Sequence, residues 1–387
     1  MKSLDLNQKN LLNNLLKLIL YFGIALFPLY IFNSGSIQIG HFLLIIFSIL
    51  VFTTIGIKEN KYFYIFGLFL FYTIIVNIFY LFYDLYFTRD PNIKFFKDSL
   101  FLTYNFILTA SLTSYFAYQK KFNIILYGLI TAILLLLYSW VYGYFIGLNY
   151  RFVGFFNNPN QLGYFCACCF SLTYLFYRNS LISYKLMISM LLILILLSIS
   201  SLSKAAYISL ILCFVFALKP FNYKYSKIVW IIFLLTIIFF IILFFPQISE
   251  ANFYKRIISL PTEQDSSLEV RGYLVYFKSN LLQAFLGMGP KNVVSIHWYE
   301  IHSTFAMILS SYGLVGFSIF GLLMFFWILD INRAYGLFGV ICICAPTLLY
   351  GLTHNGIRFS MFWILFALSI ILSKEYILNK NLNRHFK

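Results

Sequence analysis

HSTFAMILSSYGLVGFSIFGLLMFFWILD, His302 to Asp330, runs for 27 residues without a charged side chain between a histidine and an aspartate. About 20 apolar residues in a helix cross the hydrocarbon of a bilayer, so this stretch reads as a membrane span over 303–329. Its apolar residues are continuous rather than alternating, which is the pattern of a spanning helix and excludes a barrel strand.

The same pattern fills the rest of the chain. Hydrophobic residues make up 61% of it and charged residues 10%, far from the balance of a soluble domain of this length. Polar, Gly/Pro and charged clusters break it into about 12 spans. These lie near 15–33, 37–57, 62–83, 99–118, 123–147, 161–177, 186–200, 204–218, 228–246, 303–329, 335–351 and 357–373, with only SSLSK dividing the seventh from the eighth. The expected fold is an all-α integral membrane protein. The first span is too long for a signal peptide and lacks a small-residue cleavage site, so it reads as an uncleaved helix. All six cysteines (Cys166, Cys168, Cys169, Cys213, Cys342, Cys344) fall inside expected spans without a C-x-x-C pair, and read as small core residues.

Orientation follows from Lys and Arg, which are retained on the cytoplasmic side of short loops. With the N-terminus cytoplasmic, 17 of the 28 lie inside and 11 outside, and both termini are then cytoplasmic. The dominant outer feature is one large extracytoplasmic loop, residues 247–302, where the other connectors are short. Within it LEVRGYLVYFKSNLLQAFLG, Leu268 to Gly287, spaces Val270, Leu274, Phe277, Leu281 and Phe285 as one stripe, which predicts an interfacial helix lying apolar face down. The chain divides into N-terminal spans 1–5 over residues 1–150, a core over 151–330 containing the loop, and C-terminal spans with a cytoplasmic tail over 331–387.

Five clusters fall on the outer face under that orientation: RFVGFFNNPNQLG (Arg151 to Gly163, with Asn160), SSLSKAA (with Lys204), the loop segment with Arg271 and Lys278, EIHS (with His302), and THNGIR (with Arg358). Each has a plain structural alternative. Asn and Pro form turns and start helices. Lys204, Arg271 and Lys278 can snorkel to headgroups, and a histidine can simply mark an interface. Yet a cation opening a helix opposes the dipole, so Lys204 calls for an anion nearby. Neither the histidines nor the acidic residues show the spacing of a metal site, and no metal or cofactor is expected. Cations with one base suit a particular chemistry: Arg and Lys stabilise a departing pyrophosphate, and a histidine poised near neutral pH takes the proton of an incoming sugar hydroxyl.

The motifs R-F-x-G-x-F-x-N-P-N-x-L-G (Arg151 to Gly163), Ser203-Lys204, the Arg271 segment, L-G-M-G-P (Leu286 to Pro290) and H-S-T-F-x-x-x-L-x-x-Y-G-L-V-G (His302 to Gly316) occur in an order and spacing that resembles the O-antigen polymerase and ligase superfamily. These are polytopic glycosyltransferases of the GT-C kind. The resemblance covers about residues 150–330 and leaves the first five spans unmatched. It implies a bacterial inner-membrane enzyme with its active site facing the periplasm. His302 would activate the acceptor hydroxyl and Arg271 would bind the donor pyrophosphate, with Lys204 as the family's span-opening cation; Arg151, Lys278, Asn160 and Arg358 join them as substrate- or pyrophosphate-binding candidates from their place on the outer face. The chain departs from the family in having Lys204 where the usual pair is Ser-Arg, which keeps charge but loses the bidentate fork. Ser303 likewise stands where Asn commonly follows the histidine.

By resemblance the reaction is metal-independent and inverting: a growing glycan passes from undecaprenyl pyrophosphate to a lipid-linked repeat unit. The implied partners are that undecaprenyl-pyrophosphate-linked donor and acceptor, the lipid bilayer and a chain-length regulator protein; nucleic acid is not expected. The alternatives are a ligase delivering the glycan to lipid A core, and a lipid-linked oligosaccharide flippase or other transporter. Glu300, His297 and His354 stay open between substrate binding and surface decoration.

Overall fold

The computed structural model describes residues 6–33, 36–88, 96–146, 151–218, 271–297 and 301–385. Among these the protein is all-helical, with no strand. The helices are α1 (Leu6–Ala25), α2 (Ile39–Thr54), α3 (Lys61–Tyr83), α4 (Phe96–Gln119), α5 (Asn123–Phe145), α6 (Pro159–Arg178), α7 (Tyr184–Ser200), α8 (Lys204–Ala217), α9 (Leu281–Leu286), α10 (Gly289–His297), α11 (Thr304–Gly339), α12 (Ala345–Gly351) and α13 (Ser360–His385). Five segments are long and apolar enough to cross a membrane: Lys61–Phe87, Lys97–Gln119, Asn123–Phe145, Thr304–Gly351 and Ser360–Leu382. The expected ninth span, 228–246, and most of the loop, including Val270 and Glu300, lie outside the described residues.

Helix starts coincide with polar breaks for a physical reason. Asn60 accepts from the backbone N–H groups of Tyr62 and Phe63, Asn158 from Asn160 N, Ser183 from Leu186 N and Ser303 from Ala306 N, satisfying donors the first turn leaves orphaned. The helices are apolar on nearly every face, which suits burial or a lipid surround and not water. α6 is the most enclosed: every residue from Leu162 to Phe176 is buried, all three of its cysteines among them. The other three cysteines are buried as well. α13 is buried from Ser360 to Ser373, with Trp363 stacked on Phe66 at 4.1 Å and Ser369 accepting Trp327 Nε1 at 2.6 Å. Around this core, large side chains such as Phe71, Phe79, Phe82, Tyr138, Leu212 and Phe325 point outward, as lipid-facing residues do.

Four expectations need correction. The loop segment is not one interfacial helix: Gly272 takes φ +81°, a short 3-10 turn covers Tyr276–Lys278, and Asn280 caps a new six-residue helix, α9. Leu274, Phe277, Leu281 and Phe285 are nonetheless exposed, so an apolar surface survives without the continuous stripe. The tenth and eleventh spans do not part at Asp330–Arg333, which is helical; the backbone breaks at Gly336 (φ +71°). The tenth span is itself broken at Gly313 (φ +62°), leaving Thr304–Tyr312 as a short upper piece. The helix of the first span ends at Ala25, before a turn, and not near residue 33.

The Gly313 break has a clear cause. Chain from Phe285 to Met288 crosses α11 there at backbone contact: a Cβ on Gly287 would stand 2.6 Å from Tyr312 Cα, and one on Gly313 2.6 Å from Phe285 C. Met288 N donates to Ser310 O at 3.0 Å, taking up a carbonyl of the interrupted helix. From α3, Tyr72 and Tyr80 donate their hydroxyls to Leu286 O and Gly287 O, each at 2.8 Å. The L-G-M-G-P motif is therefore a crossing, with glycine on both sides because only glycine combines positive φ with so near an approach.

The two ends of the bundle differ in chemistry. At one, Lys61 pairs with Asp330 (2.8 Å), Lys120 with Glu375 (3.3 Å), and the Arg178 guanidinium lies over the rings of Tyr335 and Tyr376. At the other, where α6 begins and α7 gives way to α8, the expected site residues gather.

Candidate functional site

Arg151 is the first residue of this group, placed by the short connections around it. Phe152 N donates to Ser200 O (3.0 Å), Arg151 Nε to Ser201 O (2.9 Å) and an Arg151 terminal nitrogen to Asn160 Oδ1 (3.0 Å). The guanidinium thus spans from the α7–α8 turn to the first turn of α6. That α7–α8 turn is tight: Leu202 has φ +53°, and Ser203 then leads into α8 with Lys204 as its first residue. Gly163 lets α8 approach α6, since a Cβ there would fall 2.9 Å from Ser203 and Ala206. Half-buried Lys204 therefore sits at the positive end of a helix dipole, close to the turn that Arg151 grips.

The second half is the turn between α12 and α13. Tyr350 donates its hydroxyl to Asn160 O at 2.6 Å and stacks on Tyr164 at 4.5 Å on one side and His354 at 4.6 Å on the other. Arg271 donates to Thr353 O (2.8 Å) and Tyr273 to Leu352 O (2.7 Å), docking the loop onto this turn. The start of α11 docks there as well. Thr304 Oγ1 donates to His354 O (3.0 Å) and accepts from Gly356 N (2.8 Å), while Ser303 Oγ lies 3.3 Å from Gly351 O and 2.9 Å from the Tyr273 hydroxyl.

His302 itself is exposed, next to buried Ser303, so its backbone is anchored and its ring reaches outward. Ser303 caps α11 through Ala306 N, which accounts for the residue that follows the histidine. Half-buried His354 has its basicity pushed down to about 3, first by removal from water and then by the charges of Arg271, His302 and Arg151. Two arginines and a second histidine, from three chain segments, therefore lie near one imidazole.

Of the expected residues, the structure joins Arg151, Asn160, Arg271 and His302 around the 350–354 turn, with Lys204 at the adjoining helix start. Asn160 serves through its carboxamide oxygen, which positions Arg151, and through its carbonyl, which receives Tyr350. Arg358, in the turn before α13, pairs with Asp98 on α4 at 3.2 Å. Lys278 is exposed in the 3-10 turn and does not share a helix face with Arg271. His297 is buried at the end of α10, whose Lys291 pairs with Asp84 at 3.2 Å. Among the described residues no three His, Cys, Asp or Glu side chains gather so as to hold a metal.

Sequence reasoning missed Tyr350, Thr353, Tyr273 and Thr304, which hold the pieces together. A signal existed for Tyr350 alone: an aromatic hydroxyl immediately before the polar turn GLTHNG, at the end of an apolar run.

Fold and site together define a class: an all-helical protein of membrane composition, carrying at one end of its bundle a cationic cluster with two histidines. No family model matches the chain, and no curated protein matches it in sequence.

Proposed function

We propose that the chain is an O-antigen polymerase, or a polymerase of a related surface polysaccharide, working at the outer face of a bacterial inner membrane. It would hold about 12 spans with both termini cytoplasmic, and residues 247–302 would form the periplasmic loop. The observation that carries this reading is the meeting of Arg151, Arg271 and His302 around the 350–354 turn, from parts of the sequence 120 and 31 positions apart.

In the proposed reaction the donor pyrophosphate rests against Arg151, Arg271 and Lys204. Their charge stabilises it as the anomeric C–O bond breaks. His302 removes the proton of the acceptor sugar hydroxyl, whose oxygen forms the new glycosidic bond on the opposite face. Exposure of His302 beside a fixed backbone lets it reach a bulky acceptor whose lipid stays in the membrane.

A ligase would use the same residues. A transporter is favoured by one observation, the broken helix at Gly313, since broken helices often line transport sites. Here, however, Ser310 O is taken by Met288 N, so the break is filled by the protein's own backbone. Deleting the gene and running the surface glycan on a gel separates the readings. A core bearing one repeat unit supports the polymerase. A core bearing none assigns the chain to ligation or flipping.

A further inference from the structure

The reading above leaves His354 without a task, although Arg271, Arg151 and His302 lie near it. Its ring cannot turn freely, because it stacks on Tyr350 at 4.6 Å and 26°, and Tyr350 is itself pinned to Asn160 O. Its Nδ1 lies 2.9 Å from Thr353 Oγ1. That hydroxyl also lies 3.2 Å from Tyr350 O, an acceptor with no proton to give. In the tautomer assigned to the ring, Thr353 gives its one proton to Tyr350 O, and Nδ1 carries the ring hydrogen and donates it to Thr353 Oγ1. A neutral imidazole protonated on Nδ1 has a lone pair on Nε2.

The neutral form is the one this site maintains. Desolvation together with Arg271, His302 and Arg151 opposes a second proton on the ring. Among the described residues no group donates to Nε2. A phosphate oxygen could not satisfy it, since at neutral pH a pyrophosphate diester offers lone pairs and no hydrogen. A sugar O–H, or the N–H of an acetamido sugar, offers what it needs. The geometry therefore divides labour: Arg and Lys side chains take the phosphates, and one neutral acceptor among them takes the sugar.

We infer that His354 is a sugar-contacting residue, its Nε2 accepting the hydrogen of an O–H or N–H on the ring that bears the pyrophosphate. This rests on the glycosyl-transfer reading. It goes beyond that reading by giving the site a contact that tells a glycosylated polyprenyl pyrophosphate from a bare one.

The test uses full-length protein in lipid nanodiscs and two probes, undecaprenyl pyrophosphate and undecaprenyl-pyrophosphoryl N-acetylglucosamine. Wild type should prefer the sugar-bearing lipid by about three- to ten-fold, the range of one net hydrogen bond. His354→Phe keeps a ring to stack on Tyr350 but has no lone pair, and His354→Asn places no atom at the Nε2 position. Both should lose the preference while binding bare undecaprenyl pyrophosphate as wild type does. His354→Gln, whose Oε1 falls near Nε2, should restore most of it.

A preference that persists in His354→Phe and His354→Asn would overturn the assignment, as would a His354→Gln protein that behaves like His354→Phe. Wild type binding both lipids equally would overturn the role of His354 alone. Wild type binding neither would overturn the polyprenyl-pyrophosphate reading, and the inference with it.

Discussion

Alanine at Gly287 tests whether the crossing of loop and helix holds the site in place. The backbone there has φ +97° and ψ 158°, a region almost confined to glycine that costs an alanine about 1–3 kcal/mol. The new Cβ would also collide with Ser311 O and stand 2.6 Å from Tyr312 Cα; these are backbone atoms, so no rotamer change relieves the clash. The two segments must separate, and three hydrogen bonds go with them: Met288 N to Ser310 O, Tyr72 to Leu286 O and Tyr80 to Gly287 O. At about 1 kcal/mol net each, with the conformational cost added, the loss comes to about 4–6 kcal/mol. Few natural domains have more than 5–15 kcal/mol in total. Melting of purified protein in detergent should fall by many degrees, and long-chain polysaccharide should disappear from cells carrying the variant. Gly321→Ala is the control, since it lies in the same helix and a Cβ there meets nothing within 4 Å. A Gly287→Ala protein that melts as high as Gly321→Ala would refute the reasoning.

Other outcomes follow from the same geometry. His302→Ala and Arg271→Ala should each abolish long glycans while the protein still inserts, checked by gel and by membrane fractionation; wild-type chain lengths in either would sink the assignment. His354 gives a pH dependence of definite sign. Its folded value of about 3 lies below the unfolded 6.5, so the unfolded chain takes up a proton first as pH falls. Stability is therefore intact above pH 6.5 and erodes toward pH 3, by about 2 kcal/mol at pH 5, so wild type should lose melting temperature relative to His354→Gln on acidification. Arg358→Ala should lower stability by about 3 kcal/mol by stranding a half-buried Asp98, and Asp98→Asn in that background should recover part of it, read as a double-mutant cycle in melting.

What the sequence disclosed, and what it hid, divides along a physical line. Local signals were readable. Ser201 to Ser203 do separate α7 from α8, and Asn158-Pro159 does start α6, because capping and turn formation depend on neighbours a few residues away. The helix break at Gly313 was not readable, since glycine inside YGLVG is common in membrane helices and its partner, Gly287, lies 26 positions earlier. The loop helix was misread for a related reason. Residues 268–287 have helical spacing, but Gly272 turns the chain to dock Arg271 on Thr353, a tertiary demand that overrides periodicity. The Arg358–Asp98 pair was hidden because Asp98 is far away in sequence. The outer clusters could be seen as a set from charge alone, whereas Tyr350, which joins them, carries no charge to notice.

The upper piece of α11, Thr304–Tyr312, has a consequence for the order in which the protein is made. A helix of nine residues has little stability alone. It stands upright because Thr304 and Ser303 are fastened to Gly351, His354 and Gly356, which the ribosome adds about fifty residues later. A nascent chain that has exposed His302 but not yet synthesised that turn has a histidine and no site. Arg271 waits for the same turn, through Thr353. The pieces of the site therefore come together in one step, once residues 351–356 have been made, and a chain truncated before residue 351 would lack the turn that holds them.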